Sequence, residues 1–280
     1  MQRMINIVLS AEGLCRVKSK IILANNMDVL PGLADESFDL CLTDPPYNIS
    51  NEVTISRGSQ GKYKGTDISS DFGEWDAFES DRVYLEFTNL WCEECARVLK
   101  PGGFFISFFD KEKITFLYNI LKAQGLRTRD NIVWIKNNPV PQVRKVKFAQ
   151  ATEMAAVLSK EGPNRFQWEN GYHPNYKRVP IVGGHERLKD AEGKTLHMTQ
   201  KPERIFRWLL DYFCEPGGAV LDPFSGTGTT AVVAIESGRQ FMCMEAHEPY
   251  WQASKERIQG LQRDLIGVDY KSAEYKEKYL

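Results

Sequence analysis

Along the chain, short apolar runs alternate with longer stretches whose apolar positions recur at helical spacing. The short runs predict strands over Lys20–Leu23, Phe38–Thr43, Phe104–Phe109, Asn131–Ile135, Met154–Ser159, Ala219–Leu221 and Phe241–Met244. The longer stretches predict helices over Asp81–Leu99, Glu112–Gln124, Pro202–Phe213, Thr229–Ser237 and Pro249–Leu265. Apolar, often β-branched strands alternating with helices imply an α/β fold with a largely parallel sheet.

Two stretches interrupt this rhythm. Residues 48–76 follow closely on the strand that ends at Thr43 and are rich in Gly, Ser and polar side chains. A loop of that length in a compact domain is usually functional or mobile. Residues 162–197 form a second insertion, carrying Tyr172, His173, Tyr176, Lys177, Arg178, His185 and Arg187. No internal repeat is present, and 280 residues suffice for one substantial core, so residues 1–280 are read as a single domain with insertions.

Composition narrows the class. No run of about 18 apolar residues occurs, and Met1–Ile7 lacks the features of an export signal, so a soluble, cytoplasmic protein is expected. The six cysteines are scattered through a chain too large to need covalent staples, which implies reduced thiols. Cys92 and Cys95 form the one C-x-x-C pair, on a predicted helix and without a second ligand pair; the four histidines do not cluster by spacing, and no metal is assigned. The net charge of −1 rules out a general polycation, so any nucleic-acid surface is local.

The segment AVLDPFSGTGTTAVVAIESG has the form strand, glycine turn, helix. In doubly wound sheets ligands bind beyond the carboxyl ends of strands, where glycines let the backbone approach them. Asp222 ends the strand, Gly226 and Gly228 make the turn, and Thr229 and Thr230 open the helix. Such a turn alone also suits phosphate binding or a structural corner. The following strand ends in Glu245, about 20 residues on, the distance at which an acidic side chain meets ribose hydroxyls. With no G-x-G-x-x-G and no G-K-[ST], the pattern favours a nucleoside ligand without a polyphosphate, although Glu245 also fits an ordinary strand end.

FDLCLTDPPYN sets a buried-looking strand directly before Asp44-Pro45-Pro46-Tyr47. Two successive prolines fix φ and forbid a regular helix start, so the backbone is rigid and extended there. An exocyclic amine on a base ring is a poor nucleophile, because its lone pair is delocalised. Accepting both of its N–H groups on fixed oxygens, here the Asp44 carboxylate and the Pro45 carbonyl, favours the geometry that releases that pair. Tyr47 would stack on the base, contributing roughly 1–3 kcal/mol towards the few kcal/mol of unstacking. D-P-P-Y by itself is equally compatible with a stiff surface turn.

Taken together, these residues resemble the amino-methyltransferase family of bacterial and phage DNA modification enzymes, over nearly the whole chain. TDPPYN looks like the family's catalytic motif, DPFSGTGTT its F-x-G-x-G cofactor motif, and HMTQKPERIFRWLL its H-x-T-Q-K-P segment. MEAHEPYWQASKERI resembles the downstream continuation, while RVLKPGG and IVWIKNNPVP match further recurrent elements. Catalytic motif first and cofactor motif last is the permuted order of the beta class.

The resemblance implies a Rossmann-like, seven-stranded methyltransferase fold that uses S-adenosylmethionine. The cofactor would lie against Asn25, Asp44, Gln200, Lys201, Pro202, Asp222, Pro223, Phe224, Ser225, Gly226, Thr227, Gly228, Thr229, Thr230, Glu245 and Ala246, with Asp44, Pro45, Pro46 and Tyr47 catalytic. At Asn25 the family commonly has aspartate, which reaches the cofactor's adenine; the amide keeps hydrogen-bonding capacity, and Asp28 is a second candidate. D-P-P-Y goes mostly with N6 of adenine and S-P-P-Y with N4 of cytosine, so adenine is expected. N4 of cytosine, or a catalytically silent DNA-binding relative, is the alternative. The resemblance also implies duplex DNA as substrate, residues 162–197 as target-recognition region, homodimers, a bacterial or phage-infected cytoplasm and an accompanying restriction endonuclease.

Lys136, Arg144, Lys145 and Lys147 surround NNPVPQV without an intervening acid and suit a clamp on phosphates, or else a solvated face. Arg57, Lys62, Tyr63 and Lys64 in the first insertion are positioned to close over DNA, unless that insertion is passive. Tyr176, Lys177 and Arg178 are the candidate readers of sequence.

Overall fold

A computed structural model describes residues 19–48, 54–55, 68–69, 78, 80–141, 146–168 and 173–264. The strands are β1 (Lys20–Leu23), β2 (Phe38–Thr43), β3 (Thr54–Ile55), β4 (Ile68–Ser69), β5 (Leu99–Phe109), β6 (Arg127–Ile135), β7 (Thr152–Ser159), β8 (Tyr176–Arg178), β9 (Ala219–Asp222) and β10 (Gln240–Glu245). The helices are α1 (Asn26–Val29), α2 (Asp81–Val98), α3 (Ile114–Ala123), α4 (Glu203–Phe213), α5 (Thr229–Glu236) and α6 (Glu248–Asp264). β3 and β4 form a separate antiparallel pair; the other strands build one sheet in the order β1-β10-β9-β2-β5-β7-β6-β8. Neighbours are parallel except where β7 lies antiparallel to β5 and β6.

Strict alternation along each strand sorts the core into two layers. Phe105 and Phe109 of β5, Ala156 and Leu158 of β7, and Met242 and Met244 of β10 face one layer, packed under α1, α2 and α3. Phe104, Ile106, Phe108, Ala155, Val157, Phe241 and Cys243 face the other, under α4 and α5. In β2 the parity slips at an irregularity between Phe38 and Leu40, so Phe38 and Cys41 face the first layer while Leu40 and Leu42 face the second. The described cysteines are free and buried: Cys41, Cys92 and Cys95 sit together in the first layer. No described helix is long and apolar enough to cross a membrane.

The sheet has eight strands where seven are predicted. The addition, Tyr176–Arg178, comes from the second insertion and joins the edge parallel to β6. Its three residues are polar and exposed, so no apolar alternation marks it. β5 begins at Leu99, five residues early, because Arg97–Gly103 leads straight from helix into strand. The one-turn α1 and the 3-10 turn Leu30–Gly32 carry no periodic signal; they are tied to α2 by Arg97, which donates to the carbonyls of Leu30 and Leu33.

The second insertion is anchored where it leaves the sheet. Gly102 has φ +77°, and a Cβ there would lie 2.0 Å from the Pro163 carbonyl oxygen. Gly102→Ala therefore combines a left-handed backbone cost of about 1–2 kcal/mol with forced separation of two backbones. We expect a loss of at least about 2 kcal/mol in urea unfolding; an unchanged midpoint would contradict this packing.

Candidate active site

The chain order reverses direction in the sheet between β2 and β9, and at such a point doubly wound folds bind ligands in the crevice beyond the carboxyl ends of the strands. A buried carboxylate bridges it. Asp222, the last residue of β9, accepts from the Thr43 hydroxyl at the end of β2 (2.7 Å), from the Thr230 hydroxyl in α5, and from the Phe224 backbone N–H (3.1 Å). Burial pushes its carboxyl up to about 6. Asp222, which sequence reasoning assigns to the cofactor, accepts from three donors of the chain and so fixes the end of β2 against the glycine turn.

Beyond Thr43 the chain enters Asp44-Pro45-Pro46-Tyr47. Tyr84 of α2 donates to the Pro46 carbonyl at 2.9 Å, and Lys113 donates to the carbonyls of Tyr47 and Asn48 at 3.1 and 3.0 Å. The turn closes at Asn48, whose φ of 53° is left-handed. These ties hold the segment from outside. Within it the Tyr47 hydroxyl donates to Asp44 Oδ1 at 2.6 Å. The Tyr47 ring is half-buried, 6.3 Å from Phe109.

The other Asp44 oxygen meets Lys201 Nζ, which is also 3.3 Å from Glu153. Lys136 Nζ lies 2.6 Å from the same Glu153. The result is an alternating chain of charges, Asp44, Lys201, Glu153 and Lys136, in which the Lys201 side chain is 6% exposed. Burial opposes the Lys201 charge, but the two facing carboxylates outweigh it and hold the ammonium above its usual range. Burial pushes the Asp44 carboxyl up, with Lys201 opposing. We take Lys201 as the fixed charge, since two carboxylates face it.

The glycine turn borders the other side of the crevice. Gly228 has φ +82° and no room for a Cβ, which would meet Ser254 of α6 at 2.9 Å. Glu245, ending β10, accepts from the backbone N–H of Gly226 and of His247, each at 2.8 Å. Burial raises its carboxyl to about 7. The Ser225 hydroxyl is buried and finds no partner among the described residues, as does the amide nitrogen of Asn26 just beyond β1, whose neighbour is β10. Asn25 itself is exposed and caps α1, accepting from the Met27 N–H. His197 approaches Gly226 from the H-x-T-Q-K-P segment; burial, then the Lys201 charge, lowers its pKa to about 4, so it is neutral at physiological pH. Gln200 bonds the Leu188 N–H and the Glu186 carbonyl, which pins the end of the second insertion.

Thus the structure gathers Asp44, Pro45, Pro46, Tyr47, Lys201 and Pro202 with the segment from Asp222 to Thr230, Glu245 and Ala246 along one crevice. Glu153, Tyr84, Lys113 and Thr43, which the sequence reading did not single out, contact these residues directly. A lone carboxylate in the otherwise core-like TEMAAVLS was the available signal for Glu153. One prediction is corrected. Lys136 is no free phosphate clamp: its side chain is 14% exposed and paired with Glu153. Lys147 is exposed, as are Tyr176, Lys177 and Arg178 at the sheet edge, with Arg178 beside Ile135 at the carboxyl end of β6. Arg57, Lys62, Tyr63, Lys64, Arg144 and Lys145 lie outside the described residues. Among the described residues no His, Cys, Asp or Glu cluster suits a metal.

Comparison with known proteins gives the family and the fold. Among curated proteins, the chain is 30% identical over 265 residues to the type II methyltransferase M.HinfI of Haemophilus influenzae, covering 91% of this chain and 72% of that one. It is 29% identical over 257 residues to the type II methyltransferase M2.DpnII of Streptococcus pneumoniae, covering 86% and 91%. Among solved structures, M1.HpyAVI in complex with SAM superposes with a TM-score of 0.65 at 22% identity, over 85% of this chain and 98% of that one. The cytosine-N4-specific PvuII DNA methyltransferase gives 0.67 at 17% identity, over 93% and 90%. These two likenesses establish the fold. Residues 38–256 match the N6/N4 methyltransferase family model, described as DNA methylase, and the chain therefore belongs to that DNA methylase family.

Proposed function

We propose that this protein is a site-specific methyltransferase acting on N6 of adenine in duplex DNA, with S-adenosylmethionine as methyl donor. The observation that carries the reading is Asp44, held at the end of β2 by Tyr47 and Lys201, across a crevice from the glycine turn and Glu245. Adenine rather than cytosine is favoured by the aspartate itself in D-P-P-Y, and the type II relatives are consistent with a partner restriction endonuclease.

The crevice fits a nucleoside cofactor. Glu245 keeps lone pairs beyond those taken by Gly226 and His247, and the buried Ser225 hydroxyl lacks a partner among the described residues. Glu245 would hold the ribose hydroxyls, with residues 223–228 lining the cofactor. When bound, S-adenosylmethionine supplies an electrophilic methyl on a sulfonium sulfur.

The remaining work falls to the chain. The target base leaves the duplex at a cost of a few kcal/mol, offset in part by stacking on Tyr47. Asp44 accepts one N–H of the exocyclic amine and the Pro45 carbonyl the other, turning the nitrogen lone pair out of conjugation. Tyr84 engages the Pro46 carbonyl rather than that of Pro45. No covalent enzyme intermediate is needed. Exposed Tyr176, Lys177 and Arg178 would contribute to reading the site, and the protein would act as a dimer, as members of the class often do.

Incubation with unmethylated DNA and S-adenosylmethionine, followed by nucleoside mass spectrometry, is expected to yield N6-methyladenine. N4-methylcytosine would overturn the base assignment, and no methylated base would overturn the activity. Asp44→Ala should cut the single-turnover rate at saturating cofactor by about 10²-fold or more; an undiminished rate would contradict Asp44's role. Glu245 provides a pH test. Below about 7 a proton occupies one oxygen of the carboxyl, and above it the anion is free to accept ribose hydroxyls. Cofactor affinity measured by calorimetry should therefore rise from pH 6 to pH 8 and should be weaker and flatter across that range in Glu245→Gln. A pH slope that persists in the variant would assign it to another group.

A further inference from the structure

We propose that Glu153 is a positioning residue for methyl transfer: together with Lys136 it holds the Lys201 ammonium in place against Asp44, an inference that rests on the reading of Asp44 as the amine acceptor. Three contacts carry it. Lys201 Nζ touches Asp44 and stands 3.3 Å from Glu153, and Glu153 Oε1 stands 2.6 Å from Lys136. Lysine has three donors on a flexible stem, so a single carboxylate does not fix where its ammonium points. A second carboxylate adds attraction from another direction: Glu153 Oε2 pairs with Lys201 by charge, without a hydrogen bond. Glu153 is the second residue of β7, and its strand position is set by cross-strand pairing with Trp134. Lys136 follows β6 directly, and its N–H bonds the Ala151 carbonyl at 2.7 Å, which closes the strand pair at that point.

Lys136 neutralises what would otherwise be a surplus of negative charge. Two carboxylates and two ammonium groups alternate in a site where all four side chains are under one-fifth exposed. The groups that face Asp44 are Lys201, Glu153, its own Tyr47 and, across the crevice, Asp222, while His197 faces Lys201. Of these, Glu153 and Asp222 repel a negative Asp44. Removing the charge at position 153 thus eases ionisation of Asp44 while loosening the lysine that aims it.

The test compares Glu153→Gln with the double variant Lys136→Met/Glu153→Gln, each assayed for thermal stability, DNA affinity against salt, and single-turnover rate against pH. The single variant leaves Lys136 uncompensated and is expected to lose stability. The double variant restores neutrality and should recover the melting temperature. Its transfer rate should nonetheless stay about ten-fold or more below that of the unaltered protein, with the acid limb of the pH profile moved to lower pH. Because Lys136 contacts Glu153 rather than DNA, the salt slope of DNA affinity should not change; loss of a phosphate contact would reduce it by about 1. A double variant with the original rate and pH profile would overturn the proposal and reduce Glu153 to charge balance. A changed salt slope would return Lys136 to the DNA surface and overturn its part in the chain. Undiminished activity in Asp44→Ala would instead contradict the underlying reading.

Discussion

The buried contact between Lys201 and Asp44 is the point at which separate parts of this chain become one site. Asp44 arrives on β2, Glu153 on β7, and Lys201 on the segment that leads from the second insertion into α4. An ammonium so nearly removed from water is stable only if its charge is met, and breaking such a pair by removing one partner typically costs 3–5 kcal/mol. The position of the H-x-T-Q-K-P segment is therefore tied to the catalytic motif, and Gln200, next in line, carries the constraint outward to Glu186 and Leu188.

Asp222 performs the complementary task on the far side of the crevice. Its three acceptor contacts join the end of β2 to the glycine turn and α5, so the two halves of the site share one framework. Both carboxylates are buried polar groups, and each is tolerated because its oxygens are met by donors of the chain: Tyr47 and Lys201 at Asp44, and Thr43, Thr230 and the Phe224 N–H at Asp222. Such an arrangement suits chemistry in which the protein's contribution is to hold an amine in one orientation.

Much of this was legible in the residues. Period-two alternation and apolar runs located the seven longer strands of the sheet, and the glycine turn after the strand ending at Asp222 pointed to a ligand beyond the carboxyl ends of the strands. What stayed hidden has common physical causes. β8 is three exposed polar residues with no burial pattern to announce it, and α1 is a single turn whose following residues, at Leu30 and Leu33, are held by Arg97 of α2. Lys136 reads as a free cation because no acid separates it from Arg144, Lys145 and Lys147, whereas its partner Glu153 is contributed by the next strand of the sheet. Asp222 and Gln200 were found by motif, but a motif names a residue without saying which bonds within the chain it also makes, here to Thr43, Thr230 and Phe224 and to Leu188 and Glu186.

The coupling between Lys201 and Asp44 is most directly tested by a double-mutant cycle on the single-turnover rate of methyl transfer, using Asp44→Asn, Lys201→Met and the two combined. If Lys201 acts by holding Asp44, the combined variant should be no slower than Asp44→Asn alone, within about two-fold. Losses that simply multiply would show that the two residues act independently and would contradict the central role given to their contact.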